Sequence, residues 1–336
     1  MQPAWGLLSD RYGRLTVMRL GLAGAALAGL ASALAPNLES ILVARALSGA
    51  FFAAVFPASL VYIGDVFPLE LRQAVIADLL AATAIGTALG SLGAGLLAQF
   101  ASWRLAFGLP AIFGALLAVL LGRLPEPARQ GLALTVVERL AVVLRSRWAV
   151  YVILLAFAEG AIMFGFFTYF APALEVHGIP AGLAGLVVAS YGLAVIIMTQ
   201  AMKRLAKPGR TPALIVVGGV ATLAGYGVAA GDQRLAGILA GSALIGVGFV
   251  FLHSSLQTWA TDVTPRARGT AVAFFAGAAF VGGALSTAAV AGLAGRSEYG
   301  LLFLVAAGMA ALVTLLAAAG RSRYRGSEQP PAPAGS

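Results

Sequence analysis

The chain has 336 residues, of which 60% are hydrophobic and 10% are charged. Soluble domains carry about 25% charged residues, so a water-exposed globule of this composition would lack the polar surface that it needs. The 42 glycines fit the same conclusion, because membrane helices contain glycine more often than soluble helices do. The composition therefore predicts a polytopic membrane protein embedded in a lipid bilayer.

Charge and side-chain chemistry exclude several functional classes. The 22 Lys and Arg outnumber the 13 Asp and Glu, which gives a net charge of +9. These basic residues lie between long apolar runs and form no continuous stripe, so no nucleic-acid partner is expected. The sequence has no Cys and two His, which leaves little material for a metal site or a nucleophile–base pair. We expect no cofactor, no metal and no enzymatic activity.

Ten apolar stretches are long enough to cross a bilayer, which takes about 20 residues. When the intervening segments are assigned alternately to the two sides, Arg and Lys concentrate on one of them. The positive-inside rule puts that side, and both chain ends, in the cytoplasm. We therefore expect a multi-pass protein of the bacterial plasma (inner) membrane. The predicted spans are 17–35, 40–63, 74–98, 103–122, 148–170, 182–202, 212–230, 235–258, 270–294 and 299–318.

An internal repeat relates the two halves of the chain. Gly86 and its small neighbours recur around Gly282 at an offset of 196 residues, and the segment at Asp65 recurs at Asp262 with one residue of slip. Parallel halves of this kind are typical of transporters whose binding site lies at the repeat interface. The predicted division is an N-terminal half (1–122), a cytoplasmic connecting loop (123–147), a C-terminal half (148–319) and a disordered cytoplasmic tail (320–336).

The repeat also predicts a missing segment. The first half contains four predicted spans and the second contains six. Residues 1–8 have the composition of the last turns of a helix, and the repeat offset places the counterpart of the span at 148–170 before Met1. We therefore expect an N-terminal truncation of about two helices, or a misassigned start, relative to a 6 + 6 architecture.

The segment Gly6–Arg14, with the sequence GLLSDRYGR, resembles the loop between the second and third helices of the major facilitator superfamily. The superfamily pattern is Gly-x-Leu-Ala/Ser-Asp-Arg-x-Gly-Arg followed by a basic residue, and this chain departs from it only at Leu15. The resemblance covers nearly the whole chain and implies an all-α fold of two pseudo-symmetric helical bundles. The motifs are most similar to those of the bacterial drug:proton antiporter branch, which includes arabinose-efflux-permease-like proteins.

The resemblance implies a cytoplasmic gate at this loop. Gly6 permits close helix approach and Gly13 permits a tight turn. Asp10 is placed to pair with Arg14 or to face a helix N-terminus of the other half, and Asp65 is the expected partner of Arg14. An ordinary loop with solvated charges is the alternative. The predicted gate residues are Gly6, Asp10, Arg11, Gly13, Arg14 and Asp65.

Polar residues inside the predicted spans are the candidates for proton coupling, because such groups are costly in a bilayer and are usually functional there. Arg45-Ala46-Leu47-Ser48-Gly49 resembles the family's Arg-x-x-Gln-Gly element, whose arginine is associated with proton coupling, with Ser48 in place of Gln. Extension of Arg45 to the outer surface is the alternative. Glu159, near the middle of its span, is either a proton carrier or a hydrogen-bonded structural acid.

Three further polar residues are candidates for lining a cavity. His253 and Gln257 lie in one polar cluster, and an imidazole can change its protonation near neutral pH. A buried packing histidine is the alternative for His253. Tyr191 lies in the middle of its span, whereas the other tyrosines and tryptophans lie mostly at span ends, where aromatic residues anchor helices at the membrane surface.

A run of small residues resembles the glycine–proline motif of drug:proton antiporters. It has glycine at positions 86, 90 and 95, but Ser91 replaces the motif's proline and Ala94 replaces a glycine. The resemblance implies antiport, and general small-residue packing between helices is the alternative. The predicted helix-packing glycines are Gly86, Gly90, Gly95 and Gly282.

Together these features predict a monomeric transporter that moves a small organic solute by alternating access. Protons are the expected coupling ion, efflux by antiport is the expected direction, and the apolar spans suit an amphipathic compound. Proton-linked uptake of a sugar or small organic acid is an alternative of the same class. A truncated, non-transporting remnant is an alternative of a different class.

Overall fold

The computed structural model describes residues 2–126, 136–205 and 211–324, and the regular elements in these ranges are all helical. Nine of the described helical segments are long and apolar enough to cross a membrane. The predicted all-α polytopic fold is therefore confirmed. The predicted span 74–98 lies within the 32-residue helix Leu69–Phe100, where the shorter stretch Ile85–Phe100 is apolar and several side chains lie outside the described residues.

Two compact units divide the described residues. The first contains the described part of Met1–Ala133 together with Leu174–Gly192, and the second contains the described parts of Leu134–Ala173 and Leu193–Ser336. Compactness therefore assigns Leu174–Gly192, which lies in the predicted C-terminal half, to the first unit. The domain bounds predicted from hydropathy and the repeat (1–122, 123–147, 148–319 and 320–336) stay predictions.

Turn and capping residues set the ends of the first helices. Gly13 has a φ of +103°, a conformation that side chains other than glycine rarely adopt. Asn37 and Ser102 begin helices by accepting hydrogen bonds from backbone N–H groups, at 2.9 Å for Asn37 and 3.2 Å for Ser102. The helices up to residue 126 are α1 (Gln2–Tyr12), α2 (Arg14–Leu34), α3 (Leu38–Phe52), α4 (Val55–Val66), α5 (Leu69–Phe100) and α6 (Trp103–Leu121).

Helix α2 is the central helix of the first unit and packs against α3, α4 and α6. Small residues permit the close approach. A Cβ built at Gly21 would lie 2.7 Å from Ala54 Cβ, and one built at Gly29 would lie 2.9 Å from Ala111 Cβ. Both distances are shorter than real Cβ contacts, so these helices pack through glycine and alanine.

The later helices include two π-helical turns. Such turns are rare in proteins overall, and those that do occur often lie at functional sites. Helix α15 continues to Arg323, so the first residues of the predicted tail (320–336) are helical, and the remainder from 325 lies outside the described residues. The later elements are α7 (Val136–Arg145), α8 (Arg147–Gly160), a π turn (Ala161–Gly165), a 3₁₀ turn (Phe166–Tyr169), α9 (Phe170–Val176), α10 (Ala181–Leu205), α11 (Thr211–Gly231), α12 (Leu235–Gly248), a π turn (Phe249–His253), α13 (Ser254–Asp262), a 3₁₀ turn (Pro265–Ala267), α14 (Arg268–Gly295) and α15 (Tyr299–Arg323).

Helix α14 packs against α8 and against the π turn Ala161–Gly165, which follows α8. A Cβ built at Gly160 would overlap the backbone of Ala279, and one built at Gly282 would overlap the carbonyl oxygen of Phe157. Glycine at both positions therefore lets the two backbones touch, which is how small residues act between membrane helices. This contact fixes the end of α8 within the second unit.

The substitution Gly282→Ala should lower the stability of the protein by about 1–3 kcal/mol, the usual cost of overpacking. The added methyl group must push α8 and α14 apart. Gly292→Ala in the same helix is the matched control, because no described heavy atom lies within 4 Å of its Cβ position. Thermal unfolding of the detergent-purified variants measures the difference. Equal stability of the two variants would contradict the close approach.

Candidate functional site

A carboxylate and an imidazole meet inside the second unit. His253 Nδ1 lies 2.9 Å from Glu159 Oε1 and 3.0 Å from Glu159 Oε2. The Glu159 side chain is 0% exposed and the His253 side chain is 14% exposed. In the sequence the two residues are separate candidates, and the structure brings them together across 94 positions.

Both members of this pair adjoin an irregular turn. Glu159 is the penultimate residue of α8 and precedes the π turn Ala161–Gly165, whereas His253 is the last residue of the other π turn. A π turn changes the helical hydrogen-bond spacing locally. The hydroxyl of Tyr226 on α11 donates a hydrogen bond to the carbonyl oxygen of Ile162 (2.5 Å) and so ties the first π turn to its neighbour.

Aromatic rings surround the imidazole. Phe249 stacks on His253 with ring centroids 4.5 Å apart and an interplanar angle of 11°. Phe275 lies at 5.4 Å and Phe164 at 6.4 Å, both measured between ring centroids. A charged group in such apolar surroundings needs a polar partner, and within the described residues Glu159 and His253 supply each other with one. Among the described residues, no group of three or more His, Asp or Glu side chains is arranged to hold a metal ion.

The other candidates for the pathway are Gln257, Tyr191 and Arg45, which lie on three different helices. Gln257 lies four residues after His253 on α13 and is partly buried. Tyr191 is partly buried on α10, in the segment assigned to the first unit. Arg45 on α3 has an exposed side chain. Its guanidinium donates to Ser48 Oγ (2.6 Å) and lies 5.0 Å from the centre of the Phe107 ring.

The signature loop forms a polar cluster in the first unit. Arg14 Nε lies 3.2 Å from Asp65 Oδ2, and the two side chains are 16% and 22% exposed. The predicted contact between Arg14 and Asp65 is therefore present. Arg14 Nη1 also donates to Ser9 Oγ at 3.0 Å. Arg11 is exposed beside the ring of Tyr12. The side chain of the remaining predicted gate acid, Asp10, lies outside the described residues.

Glu126 completes this cluster, and it is not among the residues predicted from the sequence. Its carboxylate accepts hydrogen bonds from the backbone N–H groups of Leu15 (3.0 Å) and Thr16 (3.1 Å), at the start of α2. A negative charge is favourable at a helix N-terminus. A Cβ at Gly13 would lie 2.7 Å from Glu126 Cδ, so the glycine also makes room for the carboxylate. No local pattern reveals a contact across 111 positions of sequence.

The predicted packing glycines differ in their surroundings. A Cβ at Gly95 would lie 2.5 Å from the carbonyl oxygen of Ala181, and Gly282 contacts α8 as described above. Among the described residues, no heavy atom lies within 4 Å of a Cβ built at Gly6, Gly86 or Gly90. The structure thus places Gly95 and Gly282 in helix contacts, and the packing roles of Gly86 and Gly90 stay predictions.

Several curated proteins share a segment with this chain. The multidrug efflux pump LfrA of Mycolicibacterium smegmatis is 35% identical over 105 residues, which are 31% of this chain and 21% of that protein. The puromycin resistance protein pur8 of Streptomyces alboniger is 37% identical over 101 residues, 30% of this chain and 20% of that protein. A triacylglyceride transporter of Mycolicibacterium hassiacum is 34% identical over 106 residues, 31% of this chain and 20% of that protein. The matched segments thus cover about a fifth of these relatives' length.

Solved structures and a family model agree on the fold. A D-xylose-proton symporter aligns with a TM-score of 0.74 and 20% identity over 94% of this chain and 82% of that chain. A bacterial homologue of the lysosomal transporter Spinster, inward-facing and unoccupied, aligns with a TM-score of 0.73 and 15% identity over 96% and 86% of the two chains. Residues 1–287 match the model of the Major Facilitator Superfamily. The chain therefore belongs to the major facilitator superfamily of membrane transporters.

Proposed function

We propose that the protein exports a small organic solute across the bacterial plasma (inner) membrane by alternating access, in exchange for protons. The observation that carries this proposal is the buried pair of Glu159 and His253. Ionisable residues within spans are costly and usually mark ion or substrate pathways. Imidazole is the side chain that changes its protonation within the physiological pH range, so the pair suits a coupling proton.

Efflux is the direction that the relatives favour. Two of the similar proteins are named for multidrug efflux and for puromycin resistance, and the resemblance of the segment at 86–95 to an antiporter motif points the same way. Another relative is named a triacylglyceride transporter. An amphipathic or lipophilic solute agrees with these names and with the scarcity of fixed charges in the spans.

The polar cluster at the signature loop acts as the cytoplasmic gate. Arg14, Asp65 and Glu126 connect three separate segments of the first unit by ion-pair and helix-capping contacts. These contacts are non-covalent, so they break and re-form when the helices move. Asp10 and Arg11 belong to the same gate, and the excess of Arg and Lys on this side supports a cytoplasmic location of both chain ends.

Arg45, Tyr191 and Gln257 complete the proposed pathway. Arg45 assists proton coupling, and Tyr191 and Gln257 line the substrate cavity. We propose that the transporter works as a monomer. The coupling role of Arg45 draws support from its position inside the span Leu38–Val66.

The substitution Glu159→Gln should reduce pH-driven transport to the background rate, because the pair loses the charge that compensates the bound proton. Exchange of substrate without a pH gradient should persist. Purified protein in liposomes, with radiolabelled puromycin as the first probe, allows both measurements. Unchanged pH-driven transport in this variant would assign Glu159 to a structural role.

The same liposomes test the direction. Export by antiport predicts that substrate moves out of the compartment into which protons flow, that is, against the proton flux. Movement of substrate together with protons would establish uptake instead. Binding of puromycin without any exchange would favour the non-transporting remnant.

Asp65→Asn should slow transport while leaving the amount of protein in the membrane unchanged, since the variant loses the ion pair to Arg14. Glu298→Gln is the matched control. Glu298 also forms an ion pair, with Arg296 at 3.2 Å, but the two side chains are 43% and 66% exposed, where such pairs contribute little. Normal transport by Asp65→Asn would refute the gate.

Glu126→Ala should lower the stability of the protein by about 0.5–2 kcal/mol, the usual cost of losing a helix cap. Glu126→Gln should cost less, because the amide oxygen still accepts a hydrogen bond from the N-terminus of α2. Thermal unfolding in detergent compares the two variants with the wild type. Identical unfolding of all three proteins would show that the cap does not stabilise the fold.

A further inference from the structure

We propose that Glu159 and His253 bind the coupling proton as one unit with divided tasks. Glu159 remains ionised and holds His253 in the Nδ1–H tautomer, and His253 Nε2 receives and releases the proton. Glu159 is then a positioning residue. This inference rests on the proposed proton coupling and specifies which atom carries the proton.

The geometry of the contact supports an ionised Glu159. His253 Nδ1 lies at nearly equal distances from the two carboxylate oxygens, 2.9 Å and 3.0 Å. A protonated carboxyl would donate its hydrogen through one oxygen and place that oxygen closer to the ring nitrogen. A ring N–H shared between both oxygens of a carboxylate fits the observed arrangement, since an ionised carboxyl group only accepts.

The two ring nitrogens of His253 differ in accessibility. Nδ1 faces a side chain that is 0% exposed, whereas the imidazole side chain keeps 14% exposure. Nε2 forms no hydrogen bond with the described residues.

A proton can therefore reach the ring without reaching the carboxylate. When Nε2 is unprotonated, the neutral ring and the carboxylate together carry a charge of −1. A proton on Nε2 converts the ring to an imidazolium and makes the pair neutral overall. Burial of a net charge in apolar surroundings is costly, so closing the site from water favours the protonated pair. Opening the site to water favours release, which links protonation to alternating access.

Few other charges compete with this pair. Apart from His253 itself, α11, α12 and the two π turns carry no charged side chain. The hydroxyl of Tyr226, on the packed face of α11, is engaged by the carbonyl oxygen of Ile162. Asp262 on α13 forms an ion pair with Arg321 at 3.5 Å. The remaining basic residues of α8, α14 and α15 lie at the helix ends and are Arg147, Arg268 and Arg323.

Nitrogen-15 NMR of labelled histidine tests the assignment of the proton. The chain has two histidines, so His177→Gln leaves His253 as the single labelled ring, in detergent-purified full-length protein. If His177→Gln does not fold, the wild-type spectrum minus that of His253→Gln gives the same signals. We expect a protonated Nδ1 in both the neutral and the charged ring, and gain and loss of the proton at Nε2. An unprotonated Nδ1 at alkaline pH would overturn the proposal.

Transport by His253→Gln supplies the second test, with His177→Gln as the matched control. In liposomes with puromycin, His253→Gln should lose pH-driven transport, and the control should keep it. Retained pH-driven transport in His253→Gln would refute the assigned role of Nε2. Absence of pH-driven transport in the wild type would refute the proposed function instead, and the NMR spectrum would still decide the tautomer.

Discussion

In the low polarity of the membrane interior, a buried charge of the second unit needs a polar partner. A carboxylate without a partner is costly there, yet Glu159 is fully buried within the helix that continues from Arg147 to Val176. Contact with His253 makes this burial possible, because the imidazole Nδ1 lies within hydrogen-bond distance of both carboxylate oxygens. The elements that carry the two residues must therefore be held in place accurately, and the surrounding packing does this.

Glycine residues permit the close helix contacts that hold these elements in place. Gly160 directly follows Glu159 and touches the backbone of Ala279, and Gly282 touches the backbone of Phe157 one turn earlier on α8. The two contacts clamp the end of α8 on α14, while α11 holds the following π turn through Tyr226. The abundance of glycine that marks the composition thus has a specific use beside the buried pair. At the signature loop, Gly13 serves in a similar way by admitting the carboxylate of Glu126.

Local patterns in the sequence predict features whose partners are close in sequence or whose hydrophobicity is continuous. The helical class, most span positions and the turn at Gly13 belong to this group. The contact between Arg14 and Asp65 joins positions 51 residues apart, and its prediction rests on the resemblance of the signature loop to that of the superfamily. The pairing of Glu159 with His253 and the cap formed by Glu126 join positions 94 and 111 residues apart. Hydropathy carries no information on such pairs, because it does not define the face that each helix turns toward its neighbours. The π turns are likewise invisible in an uninterrupted apolar run.

A difference titration measures proton binding by the Glu159–His253 pair. The number of protons taken up between about pH 8 and pH 5, the range in which imidazole changes its charge, is measured for detergent-purified wild type and for the double variant Glu159→Gln/His253→Gln. We expect the wild type to take up one more proton than the double variant. Equal proton uptake by the two proteins would contradict it.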